Sequence, residues 1–238
     1  MKNVFFMMIL VCPVWLMAQE TPMTKRLELG YVRTNGNAKS ETMSIKADLK
    51  KQWTQSSLQV HGMTLSSSMG GKEIASRTDA GLKGERNISG RFFASVGAAY
   101  EKNRFAGFEY RLQVGPGVGM DAVKNKLHTL NITFSTVILW EKTTIQNAEA
   151  QRFFSVKTVV DDQWKINEHV TLKNKAEYFT PLKDSEKYFI NWNASLEAAL
   201  NKMLSLGMGY TLNYQNKVHS PHLKKTDTTL LTSLIANF

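Results

Sequence analysis

Five histidines, His61, His128, His169, His219 and His222, are the first residues to test for chemistry. His219 and His222, with Asp227 close behind, have the side-chain types of a transition-metal clasp. They share a proline-containing stretch that offers no fixed third ligand, and solvated loop imidazoles are the simpler reading. None of the five stands in a nucleophile elbow or another recognisable catalytic motif, whereas acyl transfer needs nucleophile, base and orienting group together. Gly115, Gly117 and Gly119 superficially resemble a phosphate loop. They fall on alternate positions with no helix after them to present its amide terminus, so they serve to make room or to ease strand curvature. Cys12 is the only cysteine and can form neither an internal disulfide nor a multi-cysteine metal site. The expectation is a non-enzymatic chain with no catalytic residue, no metal and no cofactor.

Ionisable residues on alternate positions form the more informative pattern. Lys46, Asp48, Arg77, Asp79, Arg91, Glu109, Arg111, Lys157, Lys173, Glu177 and Glu197 lie on the polar phase of segments whose other phase is apolar. The strand period of two is explicit from Tyr188, where Tyr188, Ile190, Trp192, Ala194, Leu196, Ala198 and Leu200 alternate with a set that includes Asn191, Asn193, Ser195 and Glu197. It recurs in Leu204, Leu206, Met208, Tyr210, Leu212 and Tyr214 against Ser205, Gly207, Gly209, Thr211 and Asn213. Breaks at Asn35-Gly36-Asn37, Gly70-Gly71, Asn87–Gly90, Ala106-Gly107 and Asn201-Lys202 mark turns. The result is about twelve strands: 26–34, 41–53, 56–67, 74–87, 91–103, 108–121, 127–141, 151–164, 170–180, 187–201, 203–215 and 227–238. The third, eighth and ninth alternate poorly.

Alternation alone does not say whether the apolar phase faces a core, as in a soluble barrel with an apolar ligand pocket, or faces lipid. Four features point to lipid. The strands are long for a soluble sheet but suit a tilted bilayer crossing. The polar phase mixes both charge signs with Gly, Ser and Thr, which a hydrated lumen tolerates. Aromatic residues on the apolar phase collect near strand ends: Tyr31, Trp53, Phe92, Tyr100, Phe108, Tyr110, Trp140, Tyr178, Tyr188 and Tyr214. The sequence ends on Phe238, on the apolar phase of the final strand, which reads as a membrane-assembly signal. An even strand number returns both ends to the periplasmic side.

Lys2, the apolar run from Val4 to Met17 and then Ala18-Gln19 read as a secretory signal peptide cleaved after Ala18. The domain reading is a signal peptide over 1–18, a short periplasmic segment over 19–25 and an outer-membrane barrel over 26–238. The formal net charge of +10 comes from 30 Lys and Arg against 20 Asp and Glu. The lysines are spread among turns and interleaved with acids rather than gathered in a stripe, so nucleic acid is not an expected partner. Outer-membrane lipid is the expected surrounding, and Lys39, Lys72, Lys102, Lys142, Lys183, Lys187, Lys224 and Lys225 are placed to meet lipopolysaccharide phosphates or simply to solvate loops.

Three stretches carry a family resemblance. They are Gly36-Asn37-Ala38-Lys39-Ser40-Glu41-Thr42, the block Asn103-Arg104-Phe105-Ala106-Gly107-Phe108-Glu109-Tyr110-Arg111 running into Gly115–Gly119, and Lys224-Lys225-Thr226-Asp227-Thr228 with the terminal Phe238. They resemble the salt-induced, or acid-inducible, outer-membrane protein family. The resemblance implies a β-barrel of the envelope and no particular substrate.

The sequence thus predicts a transmembrane, antiparallel, up-and-down β-barrel. Partners would be outer-membrane lipid, lipopolysaccharide and, during biogenesis, the barrel-assembly machinery; oligomeric state is not readable. The eleven charged residues would line the lumen and either fill it through ion pairs or border a narrow path for small solutes. A filled, structural or stress-related barrel is the leading expectation, a narrow passive channel the alternative.

Overall fold

In a computed structural model, which describes residues 23–34, 40–218 and 223–238, the chain forms twelve antiparallel strands. They are β1 (Met23–Thr34), β2 (Ser40–Gln52), β3 (Ser56–Met69), β4 (Lys72–Ser89), β5 (Phe92–Asn103), β6 (Phe108–Lys124), β7 (His128–Thr143), β8 (Gln151–Lys165), β9 (Val170–Pro181), β10 (Phe189–Ala199), β11 (Leu204–Gln215) and β12 (Thr226–Asn237). Each pairs with the next, and β12 returns to β1 to close the barrel. The predicted signal segment, Cys12, Lys39, His219 and His222 lie outside the described residues. Met23–Lys25, expected in a lead-in segment, already belong to β1.

The period of two becomes a division between inside and outside. Register pairs such as Glu28↔Lys46, Asp48↔His61 and Met63↔Asp79 point inward, while Leu29↔Ile45, Leu196↔Met208 and Leu206↔Leu234 point outward. The outward set is exposed and apolar all round the wall, including Leu29, Leu82, Val96, Val118, Phe134, Leu206 and Leu230. Buried residues are polar to an unusual degree: Ser44, Thr133, Glu141, Ser155 and Glu197 are among them. This is the reverse of a water-soluble barrel and is the arrangement expected when the outer surface meets hydrocarbon. Closure also satisfies every strand neighbour without an open sheet edge at either end of the order.

The start of β1 and the end of β12 lie at one end of the barrel, called the terminal end; the other is the distal end. At the seam, Phe238 N–H donates to the Lys25 carbonyl at 2.8 Å and Lys25 N–H to that of Phe238 at 3.2 Å. The Phe238 side chain, 63% exposed, points away from the barrel.

Two irregularities position the interior. On β6 the ladder to β7 is interrupted between the Val114↔Ile138 and Gly117↔Ser135 pairs, and Pro116 there has no N–H to donate. A Cβ on Gly115 would fall on the Thr136 carbonyl and lie 2.8 Å from Val137 Cα, so only glycine permits this approach of two backbones. Nearer the distal end, a β-bulge between Phe108 and Tyr110 adds a residue to β6 and shifts its phase.

Candidate functional site

Among the described residues, chemistry-bearing side chains converge in the interior, which has a wet half and a dry half. At the terminal end, Arg26 on β1 reaches past β12 and β11 to Glu197 on β10, a bidentate pair at 2.7 and 3.1 Å. Gly207 lies opposite Glu197 in the register, and small side chains on this part of the wall clear the way. A Cβ on Gly207 would lie 2.7 Å from Ile235 Cδ1 and 2.8 Å from Ser233 Oγ. Glu28 accepts from Lys46 and from the Ser233 hydroxyl, both at 3.0 Å, and Lys173 donates to Glu197 at 2.8 Å. Water reaches this end, since the Lys46 and Lys173 side chains remain 33% and 34% exposed.

In the middle, Lys157 on β8 donates to Gln113 on β6 at 3.2 Å and lies 3.6 Å from Glu177 on β9. Asp48 stands opposite His61 in the register. Further toward the distal end, Arg77 grips Asp79 through two hydrogen bonds of 2.7 and 3.1 Å. Its remaining Nη1 donates to Asn213 Oδ1 at 2.9 Å, and Asn213 is on β11, almost diametrically across the barrel. Arg77 is therefore a crossbar.

The distal end holds a second assembly. Arg111 donates to Glu141 at 3.0 Å and its guanidinium carbon sits 3.2 Å from the Phe108 centroid and 4.0 Å from that of Phe189, two rings inclined to each other at 69°. Lys187, from the short loop between β9 and β10, also donates to Glu141 at 2.7 Å and sits 4.4 Å from the Phe153 centroid. Phe179, Phe189, Phe108, Leu139 and Val137 pack around these ions. The Gln215 amide ties the β5–β6 turn down through the Ala106 carbonyl at 3.1 Å. Side-chain exposure falls to 1% for Glu141, 8% for Lys187 and 9% for Arg111, and a cavity of about 20 Å³ lined in part by Arg111, Phe189, Asn213 and Gln215 has room for little more than one water. Two cations around one buried carboxylate would be costly alone; Glu101, 3.6 Å from Arg111, and the aromatic faces add to the compensation.

Of the residues singled out from sequence, Lys46, Asp48, Arg77, Asp79, Arg111, Lys157, Lys173, Glu177 and Glu197 all occupy inward register positions. Two do not. Arg91 lies in the tight turn between β4 and β5 beside Gly90 (φ 52°), exposed at the terminal rim. Glu109 is moved off the inner phase by the β6 bulge and pairs with outward Lys142 at 2.8 Å on the distal rim. The same bulge overturns the placing of Phe108 in the outer aromatic girdle: it is 2% exposed, inside. Arg26, Glu28, Glu101 and Glu141 join the interior and could have been found by the alternation that flanks them; Lys187, a loop residue, carries no such signal. A short loop thus contributes a side chain to the interior. Among the described residues, no cluster of three or more His, Cys, Asp or Glu could hold a metal ion.

The closed antiparallel barrel of twelve strands, apolar outside and charged within, has the fold of an outer-membrane porin. The NanC porin superposes with a TM-score of 0.50 at 12% identity, covering 90% of this chain and 97% of that one. The translocator domain of the autotransporter NalP from Neisseria meningitidis gives 0.45 at 9% identity, over 91% and 86%. The KdgM porin in complex with disordered oligogalacturonate gives 0.43 at 7%, over 89% and 96%. No curated protein matches the sequence. Within this architecture the chain belongs to the family described as "Protein of unknown function, DUF481", which it matches over residues 27–238.

Proposed function

We propose that the chain is a non-enzymatic outer-membrane barrel of the cell envelope, structural or stress-related, whose lumen is sealed at the distal end by its own side chains. The observation that carries this reading is the dry assembly of Arg111, Glu141 and Lys187 packed with Phe108, Phe153, Phe179 and Phe189, with the Arg77–Asn213 crossbar behind it. An even strand count with both ends of the barrel on one side supports a periplasmic position for that side, which makes the proposed barrel a cup opening inward. Export by a signal peptide cleaved after Ala18, recognition of Phe238 by the assembly machinery and contact with lipopolysaccharide belong to the same proposal. The resemblance to salt-induced outer-membrane proteins supports a role under stress.

A narrow channel is the second reading. It is favoured by the hydrated mixed charges of the terminal half, Lys46, Lys83 and Lys173 among them, and by the fold shared with a porin. Swelling of proteoliposomes in small sugars and salts separates the two. The sealed barrel gives swelling rates equal to those of protein-free liposomes, and faster swelling would establish the channel. Fractionation tests the membrane assignment: the chain should sit in the outer-membrane fraction and migrate differently on a detergent gel when unboiled.

A further inference from the structure

Outside the lumen, a polar recess interrupts the apolar wall. It lies between β4 and β5 at the distal rim, has a volume of about 150 Å³ and is lined by Glu73, Ser76, Thr78, Lys102, Arg104 and Phe105. Thr78 and Lys102 are register partners, both directed outward, and Ser76 lies two residues along β4 from Thr78 on that face. Lys102 and Arg104 are exposed and are joined in no ion pair among the described residues. Glu109, the neighbouring carboxylate whose charge they feel, is already held by Lys142 at 2.8 Å. Glu73 is the single acid of the recess, against two cations.

Height is the second observation. Tyr100 lies two residues before Lys102 on the same outward face of β5, partly exposed in the distal aromatic girdle, and Leu82 continues the apolar band on β4. A girdle tyrosine marks the boundary between hydrocarbon and headgroups. Lys102 and Arg104 are thus held at headgroup depth, where a phosphate would find a guanidinium, an ammonium and two hydroxyls within one recess, with Phe105 beside it. From this placement we infer that the recess is a binding site for the phosphate of an anionic lipid in the surrounding leaflet, lipid A being the phosphorylated lipid of the leaflet that this end faces. The inference rests on the membrane orientation proposed above.

The test is native mass spectrometry of the folded, delipidated barrel titrated with diphosphoryl lipid A, with the dephosphorylated lipid and with inorganic phosphate. Retained heat-modifiable migration shows that each protein is a folded barrel and keeps a failure of the site distinct from a failure of the fold. The site predicts one copy of diphosphoryl lipid A that survives activation, an affinity at least about tenfold lower in K102Q/R104Q, and no loss in K126Q/K202Q, which removes equal charge from turns at the opposite end. Equal affinity of wild type and K102Q/R104Q, or equal affinity for the dephosphorylated lipid, would overturn it. Displacement of the lipid by millimolar inorganic phosphate would also overturn it, by identifying a free-anion site.

Discussion

At the residue scale, the account turns on compensation inside a dry space. Glu141 is the carboxylate shared by Arg111 and Lys187, so E141A leaves Lys187 against the Phe153 face and Arg111 with only the looser Glu101 contact at 3.6 Å beside its rings. Breaking a buried pair in this way should cost about 3–5 kcal/mol, read as a lower urea midpoint for the barrel refolded in detergent. Two glycines on the inner face make a sharper contrast. G115A drives a methyl into the Thr136–Val137 backbone and should cost about 1–3 kcal/mol, whereas a Cβ on Gly209 meets nothing within 4 Å and G209A should leave the midpoint almost unchanged. Equal midpoints for the two variants would refute the packing described on β6. Why most of the interior charges are legible from sequence is clear at this scale: Lys46 or Glu197 alternates with apolar neighbours, and a strand has only two faces. Glu109 and Arg91 break the rule for local reasons, a bulge and a tight turn, neither of which alters the residue types that alternation reads.

At the scale of elements, the strands that alternate poorly in sequence put apolar groups inside. Met63 and Leu65 on β3, Phe153 and Val159 on β8 and Phe179 on β9 face the lumen, so both faces of these strands look apolar in places. The plug that depends on them is correspondingly hard to foresee. The loops add a pH-sensitive tie. Lys217, just after β11, donates to Asp184 in the β9–β10 loop at 2.9 and 3.1 Å and pairs with Glu186 at 3.0 Å. The hydrogen bond from Lys217 holds the Asp184 carboxyl below its ordinary value of 3.8, and bonds to Asp184 and Glu186 raise the Lys217 ammonium above 10.5. A depressed carboxylate contributes above its unfolded pKa and loses that contribution as pH falls through the lower folded value. The tie should therefore persist from about pH 4 to about pH 10 and release only in stronger acid or base. Spin labels at positions 183 and 218 should stay at one separation across that window and spread below it; spreading at pH 6 would refute the pairing. At the seam, F238A removes an outward ring but keeps the backbone bonds to Lys25, so purified protein should refold normally while less reaches the outer membrane in cells. Equal outer-membrane yields would show that the ring is no assembly signal.

At the scale of the whole molecule, an apolar outer wall surrounds a hydrated terminal half and a dry distal half, the basis of the sealed cup proposed above. Alternation and strand length make the barrel visible in the sequence, because they are set by local pattern. Its closure is not visible there, because Arg77 and Asn213, or Arg26 and Glu197, are far apart in the chain and meet only once curvature and register have been fixed. The sealed lumen is therefore the central claim, and single-channel recording in planar bilayers tests it most directly. Wild-type protein should insert without steady current across the physiological voltage range, while R77A/K187A/F189A, which removes the crossbar and part of the plug, should give stepwise conductance under the same conditions. A steady, stepwise wild-type current would contradict the account and make the interior charges the lining of an open pore.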